Sequence, residues 1–397
     1  MLPASEQLQV IRKNCVDLFS EEELLERLKT GKPMRVKLGV DPSRPDLHLG
    51  HAVVLRKLRQ FQELGHKVVL IIGDFTARIG DPSGKSSTRP MLGMEEVREY
   101  AQTYQEQAYR ILDRQMTEVR FNGEWLDKMH FEDVIRLAAR YTVARMLERD
   151  DFHNRYVAGQ PISVAEFLYP LAQAYDSVAV EADVEMGGTD QLFNLLVGRK
   201  IQEEHGQRPQ VVLTMPIIEG TDGHLKMSKS LGNYIAFNDT PEDMYGKIMS
   251  IPDDLMIKYY RLLTDLAEDQ VAALAHSAQD GTSNPRDFKM KLAFQMVEWL
   301  FDATQAAWAQ EHFVSVFQKK NVPDQMPELP LPSRTISPVD LLVAAGVKSK
   351  SEAKRLCQQG GVSIDERKIE DPFSSLDISS GAVLRIGKRR FFRLVAN

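Results

Sequence analysis

Between Arg35 and Ile218 this 397-residue chain alternates short, nearly continuous apolar runs with longer segments whose apolar residues recur at helical spacing. That alternation predicts parallel strands joined by crossover helices, the α/β class. The strand candidates are residues 35–40, 68–73, 119–122 and 211–218. A helix is predicted over 49–64, where Ala52, Leu55, Leu58 and Phe61 share one face. Strand, turn and returning helix make a βαβ unit, and ligands bind at the C-terminal edges of such strands. Further helices are expected over 94–113, 131–148, 164–175 and 190–204, then a purely helical stretch over 241–318. Residues 322–338 carry five of the nineteen prolines, which reads as an extended linker. Beyond it two short helical patterns, 339–345 and 349–357, precede short strands near 362, 383–386 and 391–395. The expected organisation is an α/β domain over 1–238, a helical domain over 239–320, a linker over 321–336 and a small α+β domain over 337–397.

Composition is that of a folded soluble protein, with 43% hydrophobic and 27% charged residues. The two cysteines, Cys15 and Cys357, lie far apart and outside metal-ligand spacing, which argues against a disulfide framework or a zinc site. No signal-peptide pattern and no apolar stretch of bilayer length occurs, so a soluble, cytoplasmic protein is expected. Net charge is −6, but the chain from residue 334 onward carries 12 Lys and Arg against 7 Asp and Glu. A basic tail on an acidic body suggests a polyanionic partner.

Two short motifs carry the chemistry. His48-Leu49-Gly50-His51 opens the first predicted helix, so both imidazoles leave one side of its first turn, beside unpaired N–H groups and the positive end of the helix dipole. Gly50 leaves room for a flat base against the backbone. A zinc site would want a Glu between the histidines and a third ligand, and neither is evident. Lys226-Met227-Ser228-Lys229-Ser230 follows the last strand candidate in a loop rich in glycine and small polar residues. It places two ammonium groups within a turn of each other, where a closing loop meets migrating charge. Gly80-Asp81-Pro82-Ser83-Gly84-Lys85 is one residue short of the Walker spacing and is not a P-loop. Tyr169, Gln173 and Asp176 share one helical stripe, which is either solvent face or pocket wall.

With these residues quoted, the chain resembles the bacterial tyrosyl-tRNA synthetases along essentially its whole length, a class I family with HIGH and KMSKS signatures. Gly39 to Ser43, Gly80 to Lys85, Tyr169 to Asp176 and Gly187 to Gln191 add to the match. The basic tail resembles the S4 RNA-binding domain. The resemblance implies a Rossmann-like catalytic domain, an anticodon-recognition helical domain, a homodimer built near residues 124–155, ATP as substrate with Mg²⁺, no tightly bound cofactor or resident metal, and tyrosine and tRNA(Tyr) as partners. It assigns Asp81, Tyr169 and Gln173 to the α-ammonium of tyrosine and Asp176 to the phenol. Asp190 and Gln191 go to the ribose, carboxylate or α-phosphate, while Gly39, Asp41, Gly50 and Gly188 line the nucleotide cavity. His48, His51, Lys85, Lys226, Lys229 and Ser230 surround the phosphates. Lys37 stands where many members have a tyrosine that reads the substrate hydroxyl, and it is expected to bind the substrate there, meeting the phenolic oxygen directly or through water. The alternatives are a tryptophan enzyme, disfavoured by Asp176, and a synthetase-derived RNA-binding scaffold, disfavoured by intact motifs.

Overall fold

The computed structural model describes the whole chain apart from residues 1, 43–45, 83–93, 281–283, 318–325, 332, 334, 348, 366, 370, 380, 388–389 and 397. The chain divides into two compact units, Met1–Glu311 and His312–Asn397.

The first unit is built on a six-stranded sheet: β1 (Asp17–Phe19), β2 (Arg35–Val40), β3 (Lys67–Ile72), β4 (Thr117–Phe121), β5 (Val184–Gly188) and β6 (Val211–Met215). Their order is β1-β6-β5-β2-β3-β4, with β2 to β6 parallel and β1 antiparallel to β6. β3 and β6 are almost wholly buried, as nearly unbroken apolar runs in a sheet covered on both faces should be. From β2 the chain winds outward through β3 and β4, then returns to build β5 and β6 on the other side. The order therefore reverses between β2 and β5, and the crevice beyond their C-terminal ends is where a doubly wound sheet binds ligands.

Two helices supply the walls of that crevice. Leu49–Glu63 follows β2 and packs Ala52, Leu55, Leu58 and Phe61 inward, the face expected from spacing. Val164–Ala179 begins at Ser163 and Glu166, a capping box, and runs one turn further than expected despite Pro170. The segment expected as one helix over 131–148 is two, Phe131–Ala138 and Val143–Met146. Helices Pro241–Ser250 to Ala303–Phe317 follow, and through Glu311 they belong to the same compact unit as the sheet.

The second unit holds β7 (Glu328–Leu331), β8 (Thr335–Ile336), β9 (Val362–Ile364), β10 (Arg367–Lys368), β11 (Leu376–Asp377), β12 (Val383–Ile386) and β13 (Arg390–Ala396). Five form a sheet in the order β10-β9-β12-β13-β7, and β11 pairs with β8. Helices Pro338–Ala344 and Lys350–Gln358 cover a core that includes Leu341, Leu342, Cys357, Leu384 and Leu394. The proline-rich stretch read as a linker lies partly outside the described residues. Its described part includes β7 and β8, and Pro330 is accommodated because it falls on β7, an edge strand where a missing N–H costs no ladder bond.

Candidate active site

A cavity of about 440 Å³ opens at the crevice beyond β2 and β5. Gly39, Asp41, His48, Gly50, His51, Asp81, Tyr169, Gln173, Asp176, Gly188, Asp190, Gln191, Lys226 and Ser230 all line it. These come from segments far apart in sequence, and only the fold brings them together.

His48 caps the N-terminus of the 49–63 helix. Its Nδ1 accepts from the Gly50 N–H at 3.2 Å, while Nδ1 of His51 accepts from the His48 N–H at 3.2 Å. A nitrogen that accepts a main-chain N–H carries no proton, so each neutral ring holds its hydrogen on Nε2 and is a donor there. Burial, reinforced by the nearby cations, keeps both neutral. His48 lies well below the usual imidazole range, and burial with Lys229 pushes His51 down to about 3. Gly50 is required by this cap, since a Cβ there would stand 2.9 Å from the His48 ring.

The lysine loop is tied to the protein by Asn233. Its side-chain amide donates to Asp222 Oδ2 at 2.7 Å and to the carbonyls of Leu225 and Lys226, and its Oδ1 accepts from the Ser228 N–H at 2.8 Å. Lys226 Nζ pairs with Asp190 Oδ2 at 2.5 Å. Lys229 is not on the cavity wall; its ammonium donates to Tyr104 Oη at 3.1 Å, and Tyr104 itself lines the cavity. The charge of Lys229 nevertheless reaches both histidines. Lys85 lies outside the described residues.

The stripe on the 164–179 helix faces the cavity. Tyr169 Oη donates to Asp41 Oδ2 at 2.9 Å, and Thr76 Oγ1 donates to Asp41 Oδ1 at 2.7 Å. Asp176 accepts from Trp125 Nε1 at 2.8 Å and from Asn122 Nδ2 at 3.2 Å. Burial raises both carboxyls, Asp41 and Asp176, to about 7.

Lys37 is placed differently from the expectation that it meets the substrate hydroxyl. It is fully buried behind the wall, where Nζ donates to Glu185 Oε1 at 2.8 Å, Ser177 Oγ at 2.8 Å and the Gln173 carbonyl at 3.0 Å. A lysine on β2 facing a carboxylate on the neighbouring strand β5 is held by that ion pair. Sequence reading missed Thr76, Tyr104, Asn122, Arg149, Asn194 and Glu185. Asn122 had a usable signal, since it directly follows a parallel strand at the ligand-binding edge.

The family model for class I tRNA synthetases of tryptophan and tyrosine matches residues 29–318. A tyrosine–tRNA ligase of Thermotoga maritima is 65% identical over 390 residues, covering 98% of this chain and 97% of that protein. The chain belongs to the class I tyrosyl-tRNA synthetases. A second member of this family, from Carboxydothermus hydrogenoformans, is 52% identical over 98% of this chain and 97% of that protein. Among solved synthetases, a tyrosyl-tRNA synthetase of Archaeoglobus fulgidus complexed with L-tyrosine superposes with a TM-score of 0.63 at 25% identity, covering 76% of this chain and 99% of that one. The Aeropyrum pernix synthetase, at 22% identity and a TM-score of 0.63 over 80% of this chain and all of that one, shares the fold.

Proposed function

We propose that the cavity activates L-tyrosine with ATP to tyrosyl-adenylate and then transfers the tyrosyl group to the 3′ end of tRNA(Tyr). The convergence of the histidine pair, the lysine loop and the Tyr169, Gln173, Asp176 stripe on one crevice carries this reading. The tyrosine carboxylate is already ionised and attacks the α-phosphorus without a general base. Catalysis then rests on alignment and on stabilising charge that moves onto pyrophosphate. Nε2–H of His48 and His51 supplies neutral donors, and Lys226 and Lys229 supply cations once they leave Asp190 and Tyr104. ATP enters with Mg²⁺ on its phosphates. The described residues hold no group of three or more His, Cys, Asp or Glu suited to a metal, and in this reading the ion travels with the nucleotide.

Selection of tyrosine falls to Asp176, which has lone pairs left for a phenolic O–H after Trp125 and Asn122 are satisfied. A substrate without the hydroxyl leaves that buried acceptor short of a partner. An indole N–H stands elsewhere on its ring, which disfavours tryptophan. In this reading residues 239–320 recognise the anticodon and the basic unit over 337–397 holds RNA. The setting is the cytoplasm; among the described residues no helix is long and apolar enough to cross a membrane. Tyrosine-dependent exchange of labelled pyrophosphate into ATP tests the reading. Exchange driven by tyrosine and not by tryptophan or phenylalanine is expected, and none at all would mark a scaffold without chemistry.

The reading includes a homodimer. Phe131 is 80% exposed, and Ile135, Val143, Tyr156, Val157 and Val164, all within residues 131–164, are also large exposed apolar groups of the kind a subunit interface covers. Within the expected interface region Leu126 is buried and Trp125 turns its N–H to Asp176, so neither is among these exposed groups. Sedimentation should give about twice the monomer mass, and Phe131→Asp should shift it toward monomer. A wild-type monomer at micromolar concentration would overturn the dimer.

A further inference from the structure

Gln173 and Gln191 line the cavity, and the buried Asn194 links them into a row of three side-chain amides. Asn194 Nδ2 donates to Gln173 Oε1 and to Gln191 Oε1, each at 3.1 Å. An amide can be turned by 180° at little cost in shape, and which way it faces is set by its neighbours. Here the neighbours are charged groups that can play one role only. Gln173 Nε2 lies 3.3 Å from Glu185 Oε1, and Gln191 Nε2 lies 2.8 Å from Asp81 Oδ2; carboxylates only accept. In the middle, Asn194 Oδ1 takes Arg149 Nη1 at 3.0 Å, and a guanidinium only donates. Arg149 also approaches Asp81 Oδ1 at 3.6 Å and holds Asp151 through Nε at 2.7 Å. Glu185, Arg149 and Asn194 are all buried.

We infer that Arg149, through Asn194, and Glu185 are positioning residues that fix the polarity of this amide row, so that the wall reads an α-amino acid as a zwitterion. Held this way, Gln173 keeps the second lone pair of its Oε1, beside the one that takes Asn194, as an acceptor for the ammonium. Gln191 keeps its nitrogen as a donor for the carboxylate. A reversed row would face the ammonium with N–H groups. The sheet anchors one end, since Glu185 on β5 is itself held by Lys37, Ser177 and Gln210. This explains why a lysine occupies position 37 in this chain: it neutralises the carboxylate that orients Gln173. The inference rests on the proposed activation of tyrosine at this site.

Asn194→Asp changes almost no volume but removes the central donor and puts acceptors on both sides of each glutamine. The full-length enzyme is assayed by pyrophosphate exchange, with KM measured separately for tyrosine and for ATP and folding followed by thermal melting. Asn194→Asp should raise the tyrosine KM by about tenfold or more, the loss of a charge-assisted hydrogen bond, and leave the ATP KM within about twofold. Arg149→Met should show the same split, and Arg149→Lys, which still only donates, should recover most of it. If Asn194→Asp melts more than about 10 °C early, the two Arg149 variants decide on the same split. An unchanged tyrosine KM in a folded variant, or equal rises for both substrates, overturns the inference alone. A wild-type enzyme without tyrosine-dependent exchange overturns the proposed function, and the inference with it.

Discussion

Lys229→Met is expected to slow tyrosine-dependent pyrophosphate exchange by about a hundredfold or more at saturating substrates, with the tyrosine KM essentially unmoved. A preorganised donor aimed at charge that appears only in the transition state is worth about 3 to 4 kcal/mol, and the tyrosine pocket makes no use of this lysine. The ammonium waits at the rim on Tyr104 Oη, 3.1 Å away, close enough for its charge to bear on His48 and His51. A short swing of the loop brings it to a triphosphate held over the histidine pair. Steady-state kinetics with each substrate varied in turn tests this. A loss confined to the tyrosine KM would move Lys229 out of the phosphate site.

The histidine and lysine motifs were legible because each is local: a helix start and a glycine-rich loop announce themselves over a few residues. The strands that are apolar at all but one position, β3 and β6, were legible for the same reason. β5 was not, because Val184-Glu185-Met186-Gly187-Gly188 has a charge and two glycines, a poor strand by propensity. Its charge is tolerated because Lys37, 148 positions earlier, pairs with it across the sheet, with Ser177 and Gln210 donating to the same carboxylate. The same long-range pairing took Lys37 off the cavity wall. The stripe Tyr169, Gln173, Asp176 was visible as a stripe, but which way it faced depended on the crevice between β2 and β5, a property of strand order. Arg149, Asn194 and Asn122 carry no motif at all. Their roles come from polar partners that only the tertiary fold supplies.

Asp176→Asn should cost about a hundredfold in kcat/KM for tyrosine, yet make the protein more stable at neutral pH. The Asp176 carboxyl titrates near 3.8 when exposed and is raised to about 7 in the fold, chiefly by burial. Since the folded value lies above the unfolded one, its contribution to stability is fully present below about pH 4 and is lost as pH rises through about 7. Holding the ionised group at pH 8 therefore costs roughly 4 kcal/mol, taking about 1.4 kcal/mol for each pKa unit. Against this, asparagine turns an N–H₂ toward Asn122 Nδ2, which is itself oriented by Thr76 and by the Phe75 N–H. One mismatched hydrogen bond costs about 1 to 3 kcal/mol, so relief from burying charge is the larger effect. Thermal melts should show Asp176→Asn gaining most at pH 8 and little at pH 5, where the wild-type carboxyl is already protonated. A variant that melts early at both values would mean that Asp176 is held by its hydrogen bonds more strongly than burial opposes its charge, and would remove the reason for treating it as a group kept at a cost for its contact with the phenol.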